Sequence, residues 1–260
     1  MKSLLKFPLL VAVATMMTCS FSACSDNDDP TPDTGTSETD AKFEAIAKQY
    51  LDHTVYVTYK NLADETEQLV KDLQALKSSK TDANVKATCE TFLEARAWWE
   101  KSEAFLYGAA TDFGIDPHID SWPLDLDGLQ TALKNTEQVE AMGGEDGDIY
   151  AGEKLGNSLL GFHGIEYILF EDGSPKSVSK ISDLHLTYAV AVAGDLRNRC
   201  WQLELSWRGE SAVNADRVAK VANELELPYT VNSGEYSYGE NMLNAGKAGS
   251  TYARDRKSVV

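Results

Sequence analysis

GFHGIEYILF, residues 161 to 170, is apolar almost throughout, yet it carries His163 and Glu166 three residues apart. On a helix, at about 100° per residue, these two side chains lie within about 60° of each other. Ile165, Ile168 and Leu169 fill most of the remaining circumference, and Gly161 and Gly164 fall on the far side, where another backbone can come close. A helix that is apolar nearly all round is a buried one, so the stretch predicts a helical core. A lone carboxylate in such surroundings costs on the order of several kcal/mol. Glu166 must therefore be protonated, paired or bound to a metal ion.

Outward from this stretch the hydrophobic period stays helical. Phe43, Ile46, Tyr50, Leu62, Leu69, Leu73 and Leu76 mark a helix over 40–77. A second helix is expected over 82–107, capped by Thr81 or Asp82 and stopped at Gly108. Residues 108–124, with Gly114, Pro117 and Pro123, read as a long ordered loop. Further helices are expected over 126–141, 151–170, 180–208 and 211–225, and residues 229–253 show little period. Nothing alternates like a strand over a useful length. The fold class is all-α, with the helices packed as a bundle.

The 82–107 helix offers a partner for the polar arc. Val85, Cys89, Phe92 and Trp99 define its apolar face, and Arg96 and Glu103 fall on that same face. Arg96 could pair with Glu166 or Glu103, locking two helices together. Glu103 could equally be a further metal ligand. A His and a Glu at i, i+3 can reach one ion from a single helix, and a His–Glu or Glu–Arg pair that merely satisfies a core explains the residues as well. The acids, His118 and Trp122 of DFGIDPHIDSWPLDLDG read as turn and capping chemistry. Asp125-x-Asp127-Gly128 lacks the spacing and the closing Glu of a calcium loop. His53 and His185 read as ordinary helix residues. There is no HExxH, HxxEH, G-x-S-x-G, Walker or dinucleotide-binding signature.

The formal net charge of −17 argues against nucleic acid, whose phosphates need Lys and Arg. MKSLLK followed by FPLLVAVATMM is a basic start and an apolar run too short to span a membrane, so residues 1–23 read as a signal peptide. FSAC at 21–24 has the form of a lipobox, with Cys24 as the lipid-bearing residue, which predicts a cell-envelope address at the outer membrane, facing the periplasm or the surface. Residues 24–40 are polar and acidic and read as a flexible tether. Cys89 and Cys200 are expected to be lone core cysteines. The ending Asp-Arg-Lys-Ser-Val-Val matches a sequencing adapter read in one frame, so residues 254–260 are expected to be non-native and the domain, 41–253, to be incomplete at its C-terminus.

Gly161-Phe-His163-Gly-Ile-Glu166 resembles the GxHxxE motif of the imelysin family, also known as the M75 peptidase-like family. ARAWWEKSEAFLYG, 95–108, and IDSWPLD, 119–125, look like that family's other characteristic blocks and stand in the same order. The resemblance implies an imelysin-like helical bundle, here the first bundle and part of a second, with the HxxE site in a cleft between the halves. It implies a bacterial envelope protein linked to iron uptake that binds a divalent or ferric ion, iron before zinc, through His163 and Glu166. Arg96, Asp120 and Trp122, which lie in the matching blocks, take supporting places around that site. The expected partners are the metal ion, the membrane through the lipid on Cys24, and other iron-uptake components. A non-catalytic metal-binding lipoprotein is the first reading. An M75-type metallopeptidase and a purely structural helical module are the alternatives.

Overall fold

A computed structural model describes residues 38–252. The signal peptide 1–23, Cys24, most of the 24–40 tether and the 254–260 tail lie outside the described residues. The first helix begins at Glu38, so the last three residues expected in the tether are helical.

The chain opens with α1 (Glu38–Tyr50), which runs through a π-helical stretch, Leu51–Val55, into α2 (Tyr56–Ser78). Thr58, Tyr59, Leu62, Thr66, Leu69, Leu73 and Leu76 keep the 3.6-residue period and are all buried. A short turn reverses the chain. The Thr81 side chain accepts a bond from the Asn84 N–H and so caps α3 (Asp82–Lys101). The predicted apolar face of α3 is observed: Val85, Cys89, Phe92 and Trp99 are buried. The α-helix does not run to 107. It tightens at Ser102–Phe105 into a 3₁₀ turn, which rotates Glu103 off the core face and leaves it exposed.

The expected loop 108–124 contains two short helices, α4 (Ala109–Asp112) and α5 (Ile115–Ile119). The helix expected over 126–141 is split at Asn135 into α6 (Leu126–Lys134) and α7 (Thr136–Ala141), because the Asn135 side chain turns back to cap the second piece. The helix expected over 151–170 is also two. α8 (Gly147–Lys154) ends at Leu155, an extended stretch and a 3₁₀ turn follow, and α9 (Gly161–Leu169) starts afresh. Past α9 a hairpin pairs β1 (Phe170–Glu171) with β2 (Ser174–Pro175) around Asp172-Gly173, both at positive φ as a two-residue turn of this kind demands.

Next comes α10 (Asp183–Arg208), opened by a capping box in which Ser182 and His185 satisfy each other's backbone. It packs along α2 and also against α8 and α9. A short α11 (Ala215–Val218) and α12 (Tyr238–Leu243) complete the described chain. One core results, with α2 flanked by α3 and α10. Tyr59 lies between Phe105, 5.4 Å away, and Trp207, 6.2 Å away, and Trp207 continues to Tyr238 at 5.7 Å. Cys89 and Cys200 are buried and free of disulfides, as expected.

The start of α9 is held in place by its backbone. Gly161 has φ +65°, and a Cβ on it would collide with the Ile119 carbonyl at the end of α5. Only glycine lets the two helix ends meet there. Gly161→Ala should therefore destabilise the fold by about 2–4 kcal/mol, combining the left-handed backbone penalty with overpacking. Urea denaturation would show this as a lowered midpoint; an unchanged midpoint would refute the close approach.

Candidate functional site

The close approach at Gly161 brings the residue after α5, Asp120, against the first turn of α9. Asp120 is 12% exposed. Its carboxylate accepts from the Arg96 guanidinium and, at 2.8 Å, from Trp99 Nε1; both donors lie on α3, three residues apart. On the other side, His163 Nε2 lies 3.1 Å from Asp120 Oδ1. Burial alone would raise the Asp120 pKa, but the hydrogen bonds from His163, Arg96 and Trp99 outweigh it and hold the carboxyl at about 2. An ionised carboxylate can only accept, so His163 Nε2 carries the proton between them.

The other imidazole nitrogen, Nδ1, is 3.1 Å from Glu166 Oε2. The hydrogen bond to Asp120 raises the His163 pKa above its ordinary value, burial opposes this, and Glu166 adds to the rise. Trp122 lies over the imidazole, ring centres 4.9 Å apart, and the Trp122–Pro123 peptide is cis. Arg96 also pairs with Glu100 at 2.6 Å, and its guanidinium sits 5.2 Å from the Phe162 ring.

His163 and Glu166 line an open cleft of about 410 Å³ whose walls include Phe92, Leu93, Trp122, Leu124, Tyr167 and Phe170. The structure therefore brings His163, Glu166, Asp120, Arg96 and Trp122 together, and it changes the surroundings expected of Glu166 and the partners expected of Arg96. Glu166 is not a buried carboxylate: its side chain is 52% exposed, because its arc of α9 faces the cleft and not the core. Arg96 pairs with Asp120 and Glu100 rather than with Glu166 or Glu103. Glu103 is exposed and is not among the cleft-lining residues. Asp120 does more than turn a loop, since it joins α3 to α9. The signal that marks it is the Arg96/Trp99 pair, two donors on one face of α3. Asp125, by contrast, is the cap the sequence suggests, accepting from Gly128 N–H. His118 pairs with Asp195 at 2.7 Å away from this site, and Arg197 and Asp148 form a further pair 3.0 Å apart.

Among the described residues no group of three or more His, Cys, Asp or Glu side chains is placed to share one metal ion. His163 and Glu166 alone form a two-donor set. Two donors on adjacent corners of a six-coordinate ion, each at about 2.1 Å, stand about 3.0 Å apart, and the observed pair fits that spacing. The carboxylate on the far imidazole nitrogen is the usual companion of a metal-ligating His.

This is a mainly helical protein of the all-α class with a His/Glu pair set in an aromatic cleft. Residues 55–254 match the imelysin (peptidase M75) family, and the chain belongs to it. Iron-regulated protein A of Synechococcus elongatus is 31% identical over 163 residues, 62% of this chain and 40% of that protein. A crystal structure from Parabacteroides distasonis, of a protein named as an iron-regulated protein A precursor, superimposes with a TM-score of 0.58 at 24% identity, over 85% of this chain and 58% of that one. An imelysin-like protein from Psychrobacter arcticum gives a TM-score of 0.52 at 15% identity, over 78% and 57% of the two chains. The chain thus spans well under two thirds of the length of each of these relatives.

The Asp120 geometry has a consequence in acid. A carboxyl whose pKa is lowered by folding, here from the ordinary 3.8 to about 2, stabilises the fold above the unfolded value, and that contribution is lost as pH falls through the folded one. It amounts to on the order of 2 kcal/mol between pH 5 and pH 2. Asp120→Asn should remove this part of the acid limb in denaturation measured across that range. Parallel curves for the two proteins would show that Asp120 is not the hub.

Proposed function

We propose that this protein is a non-catalytic envelope protein that binds a metal ion, iron in the first place, as cargo at His163 and Glu166. The observation that carries the reading is the 3.1 Å spacing of His163 Nδ1 and Glu166 Oε2 at the mouth of an open cleft, with Asp120 engaging the opposite imidazole nitrogen. Membership of the imelysin family and a relative named for iron regulation support the iron assignment. The chain's own part is to present two donors in fixed geometry. Asp120 holds the imidazole in the tautomer that directs Nδ1 to the cleft, Arg96 and Trp99 hold Asp120, and α9 spaces Glu166 one turn away. Two donors bind weakly by themselves, so the remaining positions of the ion would be filled by water or by ligands the ion brings with it. Lipid on Cys24 would hold the mature protein at the membrane, with residues 25–37 as part of the spacer.

A metallopeptidase would need a third protein ligand and a general base in addition to this pair. The test is iron and zinc stoichiometry of the purified protein by elemental analysis. His163→Ala and Glu166→Ala should abolish stoichiometric binding, and Asp120→Asn should weaken it by about 10- to 100-fold through the lost support of the imidazole. Equal metal content in all four proteins would sink the proposal, and peptide cleavage that a chelator abolishes would replace it with the peptidase reading.

A further inference from the structure

The cleft is built for more than an ion. Its volume of about 410 Å³ is several times what one ion and the few waters completing its shell occupy, at about 30 Å³ per water. Trp122 is 74% exposed and Leu93 55% exposed, so large apolar surface is left in water beside a polar pair. Leu124, Tyr167 and Phe170 extend that surface along the cleft. An isolated exposed apolar residue is ordinary, but a contiguous set lining one concavity marks a ligand surface. The carboxylates lining the cleft, Glu166, Glu171 and Asp172, outnumber the lysines beside it: Lys180 pairs with Glu171, and the Lys176 amine lies 4.6 Å from the Tyr167 ring.

We infer that the metal enters this cleft not as a bare aquo ion but as a cationic or neutral chelate with an apolar, aromatic-compatible body and two adjacent open positions. The inference rests on the metal-binding function proposed for His163 and Glu166. These two donors match two open positions, the aromatic and aliphatic wall matches the organic ligand, and the acidic rim disfavours polyanionic complexes such as tris-catecholates. Iron(III) holding two bidentate hydroxamates is a chelate of this class: it carries one positive charge and two coordinated waters. On binding, His163 Nδ1 and Glu166 Oε2 replace those two waters. The waters leave for solvent, any proton on Nδ1 goes with them, and the iron stays ferric. Trp122 and Leu93 then cover the hydroxamate substituents.

The experiment titrates the full protein with three probes: iron(III) with two equivalents of benzohydroxamate, iron(III) with two equivalents of acetohydroxamate, and ferrous sulfate under anaerobic conditions. The two hydroxamates share their donor atoms and differ in the aromatic ring, so the ratio of their affinities reads the apolar wall. The wild-type protein should favour the benzohydroxamate complex by about tenfold, about 1.4 kcal/mol. Trp122→Ala should bring the ratio close to one, and Leu93→Ala, at a position too exposed to matter for folding, should lower it partway. Because the readout is a ratio, a uniform loss of metal affinity in a variant does not mimic the effect. A ratio near one in the wild type, or a ratio that neither variant moves, overturns the inference; if ferrous binding still depends on His163, the metal site itself stands. Failure of all three probes to bind removes the metal reading and this inference with it.

Discussion

The Asp120 carboxylate sits where little water reaches it, and a charge in that position is tolerated only if its lone pairs are taken up. Three donors do so: Arg96 and Trp99 from α3 and His163 from α9. Neither helix is otherwise obliged to meet the other, or the end of α5, in one register. The apolar contacts, Phe92 against Phe162 at 5.9 Å and against Phe170 at 5.4 Å, bring α3 and the α9 hairpin together, but aromatic faces slide at small cost. Directed bonds to one carboxylate do not slide. Gly161 completes the constraint from the backbone side, since only a residue without a side chain admits the Ile119 carbonyl. The position of the His163 ring in the cleft follows from these two facts.

A second charged cluster shows what a purely structural arrangement looks like in the same molecule. Glu204 on α10 is 2% exposed and paired with both Arg208 and Arg217. Arg217 continues to Asp64 at 2.7 Å and Glu67 at 2.8 Å on α2. Burial lowers the Arg217 pKa, but its hydrogen bonds to Glu204, Glu67 and Asp64 reverse that and raise it. This cluster ties α2, α10 and α11 with its strong donors and acceptors turned on one another. The Asp120 cluster is different in one respect. One member, His163, has one nitrogen committed to the core and the other turned to a half-exposed carboxylate in an open cleft.

The all-helical class and the buried faces of α2 and α3 are legible in the sequence because they depend on a period that many residues repeat. The breaks are less so. Residues 151–170 keep an apolar period across Leu155, yet Gly156 to Leu160 are not α-helical, because Gly161 must take a left-handed conformation to receive Ile119 from another part of the chain. That is a tertiary demand, and no local pattern reports it. The same holds for Glu103, whose place on the core face assumes that α3 stays α-helical past Lys101. Asp120 is legible as a supporting residue in a family block but not as the acceptor that joins α3 to α9. In a loop crowded with acids, Asp120 and Asp125 look alike, and only the donors on α3 separate the hub from the cap. The spacing of Glu166 reveals it as a partner of His163 but misplaces it in the core, since a wheel gives the angle between two side chains and not the depth at which either ends.

That last difference bears on function. Were Glu166 buried, a core ion pair would explain it, and the pair would be worth keeping for stability alone. At 52% exposure, an i, i+3 contact with a histidine contributes about 0–1 kcal/mol, too little to account for two polar residues in so apolar a helix. The stabilising work at this point of the fold falls to Asp120, which engages the other imidazole nitrogen and would do so without Glu166. What Glu166 adds is a second acceptor facing His163 Nδ1 from the solvent side. Between a carboxylate oxygen and an imidazole nitrogen whose far side is already bonded to another carboxylate, the species best accommodated is positive, whether a proton or a metal ion. The helix thus separates two tasks one turn apart: Asp120 and Nε2 hold the ring, and Nδ1 and Glu166 face outward as a pair of donors.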